Sequence, residues 1–370
     1  MTSPLETRPL DVGGLDPASV YARLRSHHPH RPSYLIESLD PTRARFSVVG
    51  YRVQRGSVLP PAADAYGRLA RALEGDASAQ VAEAFASATV GFVSTVQSVM
   101  AAKIALLDDE GSAGRLMVGS PVVVFDHATG EVTIAGAKEE RDCDRLEWEL
   151  ANATGVAPAK TAGDAWPETV RREYERDQLA ARLRRARPFL GDEVETLKLC
   201  QVLLVPIPEV EALDVYRALP RREGDAVGYY LDFVETQMAP AMAVFGTSGT
   251  FIWQGGLGQG GPDAPPLDET LHAQLPRPEL TGEPSLKAVK LINKLEKFSR
   301  QMLGGVVGYS AAGGLGQWAL IDRPVYVHGH NLVVPRVVGV GSDTTAESFD
   351  AEVDALASDV LRAAATCIAS

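Results

Sequence analysis

The spacing of apolar and polar positions divides the chain into short strands and amphipathic helices. Tyr34-Leu35-Ile36-Glu37-Ser38 and Arg45-Phe46-Ser47-Val48-Val49-Gly50-Tyr51 predict two strands around a turn at Asp40-Pro41. Ala62 to Gly75 and Ala77 to Ala88 carry alanine and larger apolar residues at helical spacing. Val122 to Phe125 and Glu131 to Ile134 predict a hairpin whose Gly130 can take the positive φ of a tight turn. Arg141 to Thr154 predicts a short helix ending at Gly155, and residues 155–166, with no periodicity, a linker or surface loop. Beyond it the pattern predicts a charged helix from Pro167 to Arg187, closed by Pro188. A buried strand over Lys198 to Val205, a helix over Leu213 to Leu219 and a strand over Gly228 to Phe233 follow. Pro284 to Gln301 predicts an amphipathic helix with proline at its start and Gly304-Gly305 after it. Strands over Val306 to Tyr309, Gln317 to Val327 and Leu332 to Val340 precede a last helix from Ala346 to about Ala365. The elements interleave without a regular βαβ beat. That favours an α+β fold over a Rossmann sheet or a TIM barrel.

Composition narrows the function classes. The 370 residues include 36 Lys+Arg and 48 Asp+Glu, a net charge of −12. Such a surface repels phosphate backbones and anionic lipid, so neither a nucleic-acid partner nor a membrane held by charge is expected. With 45% hydrophobic and 23% charged residues the chain is in the ordinary globular range. Its apolar stretches, such as Leu199 to Ile207, are too short to cross a bilayer. Met1 to Glu6 lacks a basic segment followed by an apolar run, so a soluble cytoplasmic protein is expected. Cys143, Cys200 and Cys367 lie far apart, which excludes a disulfide framework and fits a reducing compartment.

Local motifs carry little chemistry by themselves. His27-His28-Pro29-His30 suits an exposed turn better than a metal cage. The glycines of Gly255 to Gly261 lead into Pro262-Asp263-Ala264-Pro265-Pro266, without the Gly-Lys-Ser/Thr that opens a phosphate-binding helix, and predict a flexible loop. Gly313-Gly314-Leu315-Gly316 and His328-Gly329-His330-Asn331 read as hairpin turns. Cys200, within an apolar run, reads as a buried inert thiol.

The C-terminal part adds a resemblance. Thr281-Gly282-Glu283-Pro284, the helix after it, and Gly304-Gly305-Val306-Val307-Gly308-Tyr309 resemble the Thr-Gly-Ala-Pro-Lys helix and Gly-x-x-Gly-Tyr strand of chorismate-utilising enzymes. These are the large subunits of anthranilate and aminodeoxychorismate synthases and their isochorismate and salicylate synthase relatives. Further stretches agree in order. Leu35-Ile36-Glu37-Ser38 resembles a Leu-Leu-Glu-Ser strand, and Phe125-Asp126-His127 a strand ending in Phe-Asp-His. Gly191-Asp192 with Gln201-Val202-Leu203-Leu204 resembles Gly-Asp-x-x-Gln-Val-Val-Leu with an insertion, and Tyr216-Arg217-Ala218-Leu219 matches Tyr-Arg-Ala-Leu.

The resemblance implies one intertwined α+β domain of two orthogonally packed antiparallel sheets flanked by helices. Residues 1–154 form its N-terminal part and 167–370 its chorismate-binding-like part. It implies that Arg323, with Gly282 and Gly305, binds a carboxylate of a small cyclic ligand, and that Gln201 stands near the reacting ring carbon. Glu347 and Asp350 correspond to a Glu-x-x-Glu pair, with Asp350 as a Mg²⁺ ligand of weak affinity. Glu37 and Ser38 correspond to half of an allosteric tryptophan element. A glutamine amidotransferase subunit or another pathway protein is the implied partner.

The departures are equally specific. Ser248-Gly249-Thr250 stands where the family has Ser-Pro-Glu, and Ser285 replaces the lysine after Thr-Gly-Ala-Pro. Val205-Pro206-Ile207 occupies the place of an arginine. Only residues 257–280 separate Gly256 from Thr281, where the family holds a helix with an essential histidine and a Mg²⁺-binding glutamate. The expectation is a divergent relative without the standard reaction, serving as a binding or assembly partner. The alternative is an active enzyme with a rebuilt site on chorismate or a related cyclic carboxylate.

Overall fold

The computed structural model describes residues 4–53, 55–59, 65–74, 81–93, 114–119, 121–153, 158–207, 210–233, 241–256, 265–296, 300 and 302–369. The predicted glycine loop at 257–264, residues 154–157 at the end of the short helix and start of the linker, residues 62–64, 75 and 77–80 of the two alanine-rich helices, and residues 297–299 and 301 of the helix predicted from Pro284 lie outside them.

The strands are β1 (Leu5–Pro9), β2 (Ser33–Ser38), β3 (Phe46–Gly50), β4 (Arg55–Leu59), β5 (Thr89–Val93) and β6 (Gly114–Val118). Then come β7 (Val122–Asp126), β8 (Glu131–Ala137), β9 (Arg171–Arg172), β10 (Thr196–Pro206), β11 (Val227–Phe233) and β12 (Met242–Ser248). The last are β13 (Phe251–Gly255), β14 (Gly282–Glu283), β15 (Val306–Ala311), β16 (Leu315–Leu320), β17 (Val325–His328) and β18 (Asn331–Val340). The helices are α1 (Pro17–His27), α2 (Ala65–Arg71), α3 (Val81–Ala86), α4 (Asp142–Asn152) and α5 (Arg176–Ala186). They continue with α6 (Ala212–Ala218), α7 (Leu267–Gln274), α8 (Pro278–Thr281), α9 (Ser285–Leu295) and α10 (Ala346–Ile368).

Among the described residues the strands form two sheets. The larger has twelve strands, ordered β1-β8-β7-β3-β2-β11-β12-β17-β18-β10-β14, with β9 pairing with β10; the smaller has six, ordered β13-β16-β15-β5-β6-β4. The pairings between these strands are antiparallel, as the α+β reading requires. Side chains alternate across the large sheet. Tyr34, Ile36, Val48, Tyr229 and Val244 meet Val90, Met117, Val307 and Tyr309 of the small sheet in an inter-sheet core. Leu35, Val49, Leu199, Leu203 and Val334 face the other way, beneath α1, α4, α6, α9 and α10. A third core, with Leu69, Leu271 and Trp318, lies between the small sheet and α2 and α7.

Three elements differ from the reading of the sequence. The charged helix begins at Arg176, not Pro167. Arg171 and Arg172 pair with Leu204 and Leu203 instead, and Glu175 opens the helix by a reciprocal cap with Gln178. α9 ends at Leu295, short of Gln301. The strand predicted over Gln317 to Val327 is two strands in different sheets: β16 pairs in the small sheet and β17 in the large one. The chain changes sheet at Ile321-Asp322-Arg323-Pro324, where Pro324 has no N–H to continue a ladder.

Candidate functional site

The sheet change creates a gap. β17 pairs with β18 only at Tyr326 to His328, opposite Val333 to Asn331. β10 pairs with β18 along its whole length to Val340. Beyond Val333 the other edge of β18 has no strand partner among the described residues. A cavity of about 280 Å³ lies there. Leu280, Leu320, Val337 and Leu356 give it apolar walls, and Thr250, Arg277, Glu279, Asp322, Arg323 and Arg336 supply its polar atoms. That volume, at the small end of ligand sites, suits one ring with its substituents.

Its electrostatics centre on Arg323. The guanidinium donates from Nη2 to Asp225, a buried carboxylate that also accepts the Arg222 N–H at 3.2 Å. The Nε of Arg323 lies 3.8 Å from an Asp322 oxygen. Burial works against the charge on Arg323, but the carboxylates of Asp322 and Asp225 outweigh it and raise its pKa. Asp322 behaves oppositely: burial pushes its pKa up, against the pull of Arg323. Arg277 is tied to Glu279 at 2.8 Å. Arg336 has no carboxylate within ion-pair distance among the described residues. It donates to the main-chain carbonyls of Leu356 at 3.1 Å, Pro324 at 3.1 Å and Pro335 at 2.7 Å. Burial, with the nearby Arg323 and Arg222, pushes its pKa down to about 10.

Several polar atoms here lack partners. Arg323 Nε, Asp322 Oδ1 and the Tyr229 hydroxyl are buried without a hydrogen bond. The first two belong to residues that line the cavity. Tyr229 is close enough for Asp322, Arg323 and Arg336 to act on its titration, although burial is the first cause of its raised pKa. Such atoms cost free energy unless something meets them.

The residues singled out from sequence divide into two groups. Arg323 lines the cavity. Gly282 adjoins its wall through Leu280 and Thr281. Its φ is +109° and a Cβ would come 2.2 Å from the Thr196 carbonyl oxygen, so only glycine lets β14 approach β10 there. Gly305 accepts the Ile321 N–H at 2.8 Å, and Gly304 donates to Ile321 at 2.7 Å, which fixes the start of the turn carrying Asp322 and Arg323.

The others lie elsewhere. Gln201 is fully buried on the helix-facing side of β10, where it accepts the Tyr174 N–H at 3.1 Å and donates to the Tyr174 carbonyl at 3.0 Å. It ties the bend that follows β9 to β10. Asp350, on α10, faces Arg172 at 3.4 Å, and Arg172 also grips Asp354 through both its oxygens at 2.8 Å. Glu347 lies 3.6 Å from Arg176. Glu37 accepts from the Tyr216 hydroxyl at 2.6 Å and from Arg221 at 2.8 Å, and Ser38 donates its N–H to Ser47 at 2.8 Å.

Asp322, Arg336, Arg277 and Asp225 were not singled out from the sequence. Two carried a signal. Arg336 is a lone cation inside the apolar run Leu332 to Val340, and Asp322-Arg323-Pro324 puts a helix- and strand-breaking proline beside two charges.

No protein-family model matches the chain. Over 95 residues, 26% of this chain, it is 30% identical to anthranilate synthase component 1 of Thermococcus kodakarensis; the matched stretch spans only 22% of that protein. Its structure is similar to the menaquinone-specific isochorismate synthase of Escherichia coli, with a TM-score of 0.68 and 13% identity over 98% of this chain and 95% of that one. It is similar also to anthranilate synthase component I of Streptococcus pneumoniae TIGR4, with a TM-score of 0.68 and 16% identity over 95% of this chain and 98% of that one. The chain therefore has the fold of the chorismate-utilising enzymes, anthranilate synthase component I among them.

Proposed function

We propose that this protein binds a small cyclic carboxylate in the Arg323 cavity without performing the fold's Mg²⁺-dependent reaction, and acts as a binding or assembly partner. A glutamine amidotransferase subunit is the partner class the resemblance suggests. The observation that carries the reading is the state of the acidic pair opening α10. Glu347 and Asp350 face Arg176 and Arg172, so a cation already stands beside each. Mg²⁺ demands several oxygen ligands at about 2.0–2.1 Å in near-octahedral array. Two separate carboxylates, each beside a guanidinium, do not fit it. Among the described residues no group of three His, Cys, Asp or Glu side chains could hold a metal ion. Arg323 borders a cavity with apolar walls, and its guanidinium is the kind of group that suits a ligand carboxylate.

A second reading has one specific observation in its favour. Asp322 has a raised pKa and an unpartnered oxygen at the same cavity, as a proton donor to a leaving hydroxyl would need. In it the chain is an active enzyme with a rebuilt site on chorismate or a related cyclic carboxylate.

Incubation with chorismate and Mg²⁺, with and without ammonia, separates the two. The expected result is no anthranilate, aminodeoxychorismate, isochorismate or salicylate. Benzoate is expected to bind to wild-type protein and not to Arg323→Ala. Steady product formation that is lost in Arg323→Ala would establish the second reading.

A further inference from the structure

The outer face of α9 carries charges that its own helix does not favour. α9 buries Ala288, Val289, Leu291, Ile292 and Leu295. It turns Lys287, Lys290 and Lys294 outward, together with Leu286, which is 48% exposed. Ser285–Leu295 contains no Asp or Glu, and neither does Leu179 to Ala186, the half of α5 whose Arg182 and Arg185 reach the end of α9. Arg185 is exposed and donates to the Lys294 carbonyl at 3.4 Å, which extends the basic face onto α5. Among the described residues none of these three lysines, nor Arg185, stands in an ion pair. The cations of this neighbourhood that are paired, Arg182 and Arg300, both face Glu296. Glu283, exposed and four residues before Lys287, does not pair with it.

Two of the four cations have a structural reason. Arg185 and Lys294 stand at the negative, C-terminal end of α9. Lys287 stands in the first turn, at the positive end, where an acid would be favoured. Lys290 is three residues from Lys287 and four from Lys294, so like charges meet on neighbouring turns. Leu286 is left in water beside them. These choices break local rules together at one place, with no gain inside the chain, and that marks a surface kept for something outside it.

We propose that this face of α9, with Arg185, is a docking surface for another protein, which meets it with carboxylates set around an apolar recess for Leu286. The surface serves the assembly role proposed above, on which the inference rests, and none of its residues lines the Arg323 cavity. An extended polyanion or an anionic bilayer would also confront the rest of a chain whose net charge is −12 with these cations counted. A bounded acidic patch on a protein meets the basic face alone. Leu286 has no use against a phosphate backbone, and one leucine is too little to hold a bilayer.

The test measures binding to the full chain, at physiological ionic strength, of two labelled peptides of one length. One has glutamates around a single leucine, and the other has glutamine in place of each glutamate. A short DNA duplex and vesicles of phosphatidylcholine with phosphatidylserine are the competing classes. The glutamate peptide should bind best of the four, and more weakly as salt is added. Lys290→Glu with Lys294→Glu should weaken it roughly tenfold or more, the scale of two rim charge pairs turned repulsive. Leu286→Gln should weaken it several-fold with its salt dependence unchanged. The urea midpoint of these variants should stay at the wild-type value, which excludes misfolding as the cause. Equal binding of both peptides, binding undiminished in the double variant, or tighter binding of duplex or vesicles would overturn the inference. So would self-association in sedimentation that the double variant abolishes, since a second copy would then cover the face. Benzoate affinity should be the same in these variants as in wild type. If benzoate binds to none of them, the Arg323 reading fails and the peptide result still decides this one.

Discussion

Replacing Arg300 by methionine is expected to destabilise the protein by about 3 kcal/mol or more, because it breaks a buried ion pair by removing one partner. Arg300 and Glu296 keep only 4% and 2% of their side-chain surface in water. Arg300 donates to Glu296 at 2.8 and 2.7 Å, to the Leu280 carbonyl at 2.6 Å and to the Lys198 carbonyl at 2.7 Å. Glu296 also accepts the Cys200 N–H at 2.7 Å. Methionine retains most of the arginine stem but none of its donors. Glu296 would remain as a buried carboxylate with one amide donor. Arg182, 3.9 Å away, is stacked 3.5 Å over the Tyr174 ring and would have to leave it to take over. Stranding a buried charge in this way costs roughly 3–5 kcal/mol, and Arg182 favours the lower end. Urea unfolding followed by fluorescence measures the effect. With a slope of roughly 3 kcal/mol per molar or somewhat more for a chain of this size, the midpoint should fall by about 1 M. The double variant Glu296→Gln, Arg300→Met should lose less than the single one, since no charge is then stranded. A midpoint within about 0.3 M of wild type for the single variant, or a double variant worse than it, would refute the reasoning.

Four further outcomes are expected. Asp322→Asn should be more stable than wild type at neutral pH. Burial raises the folded pKa above its ordinary value of 3.8, so the native state binds the proton more tightly and loses stability as the pH rises through that interval. The advantage should shrink as thermal melts are repeated down towards pH 4, and an advantage that grows on acidification would count against it. Tryptophan should give no thermal shift, because Tyr216 and Arg221 already occupy the Glu37 carboxylate, whereas Tyr216→Phe should cost about 1–2 kcal/mol. Calorimetric titration with Mg²⁺ should show no micromolar site, and a clear one would refute the reading of the Arg172 and Arg176 pairs.

How far the chain could be read follows from the range of the forces involved. The hairpin at Val122 to Ala137, the helix α9 and the final helix α10 are written in local periodicity and turn residues, so their apolar spacing suffices to find them. The start of α5 is not local. Residues 167–175 have a helix-compatible pattern, but β10, some thirty positions away, holds Arg172 in a strand, and Gln201 fixes Tyr174 in the bend after it. The split of Gln317 to Val327 depends on which sheet each half joins, and only Pro324 announces it. The same holds for the site. Arg323 could be named from its resemblance to a carboxylate-binding arginine. Its setting could not, since Asp225 comes from the loop before β11, Arg277 from the turn before α8 and Arg336 from β18. Tertiary approach alone brings those charges to one cavity.

The cavity at the unpaired edge of β18 has a consequence for how this architecture can change. Its volume comes from β17 stopping short, a property of the backbone, and its chemistry comes from whichever side chains happen to border the gap. Capacity and selectivity are therefore inherited separately. A copy of the fold can exchange every catalytic group and still carry a room of the same size, and a handful of substitutions such as those at Asp322 or Arg336 can change its tenant without rebuilding the walls. The space that the backbone leaves thus outlasts any one set of side chains that borders it.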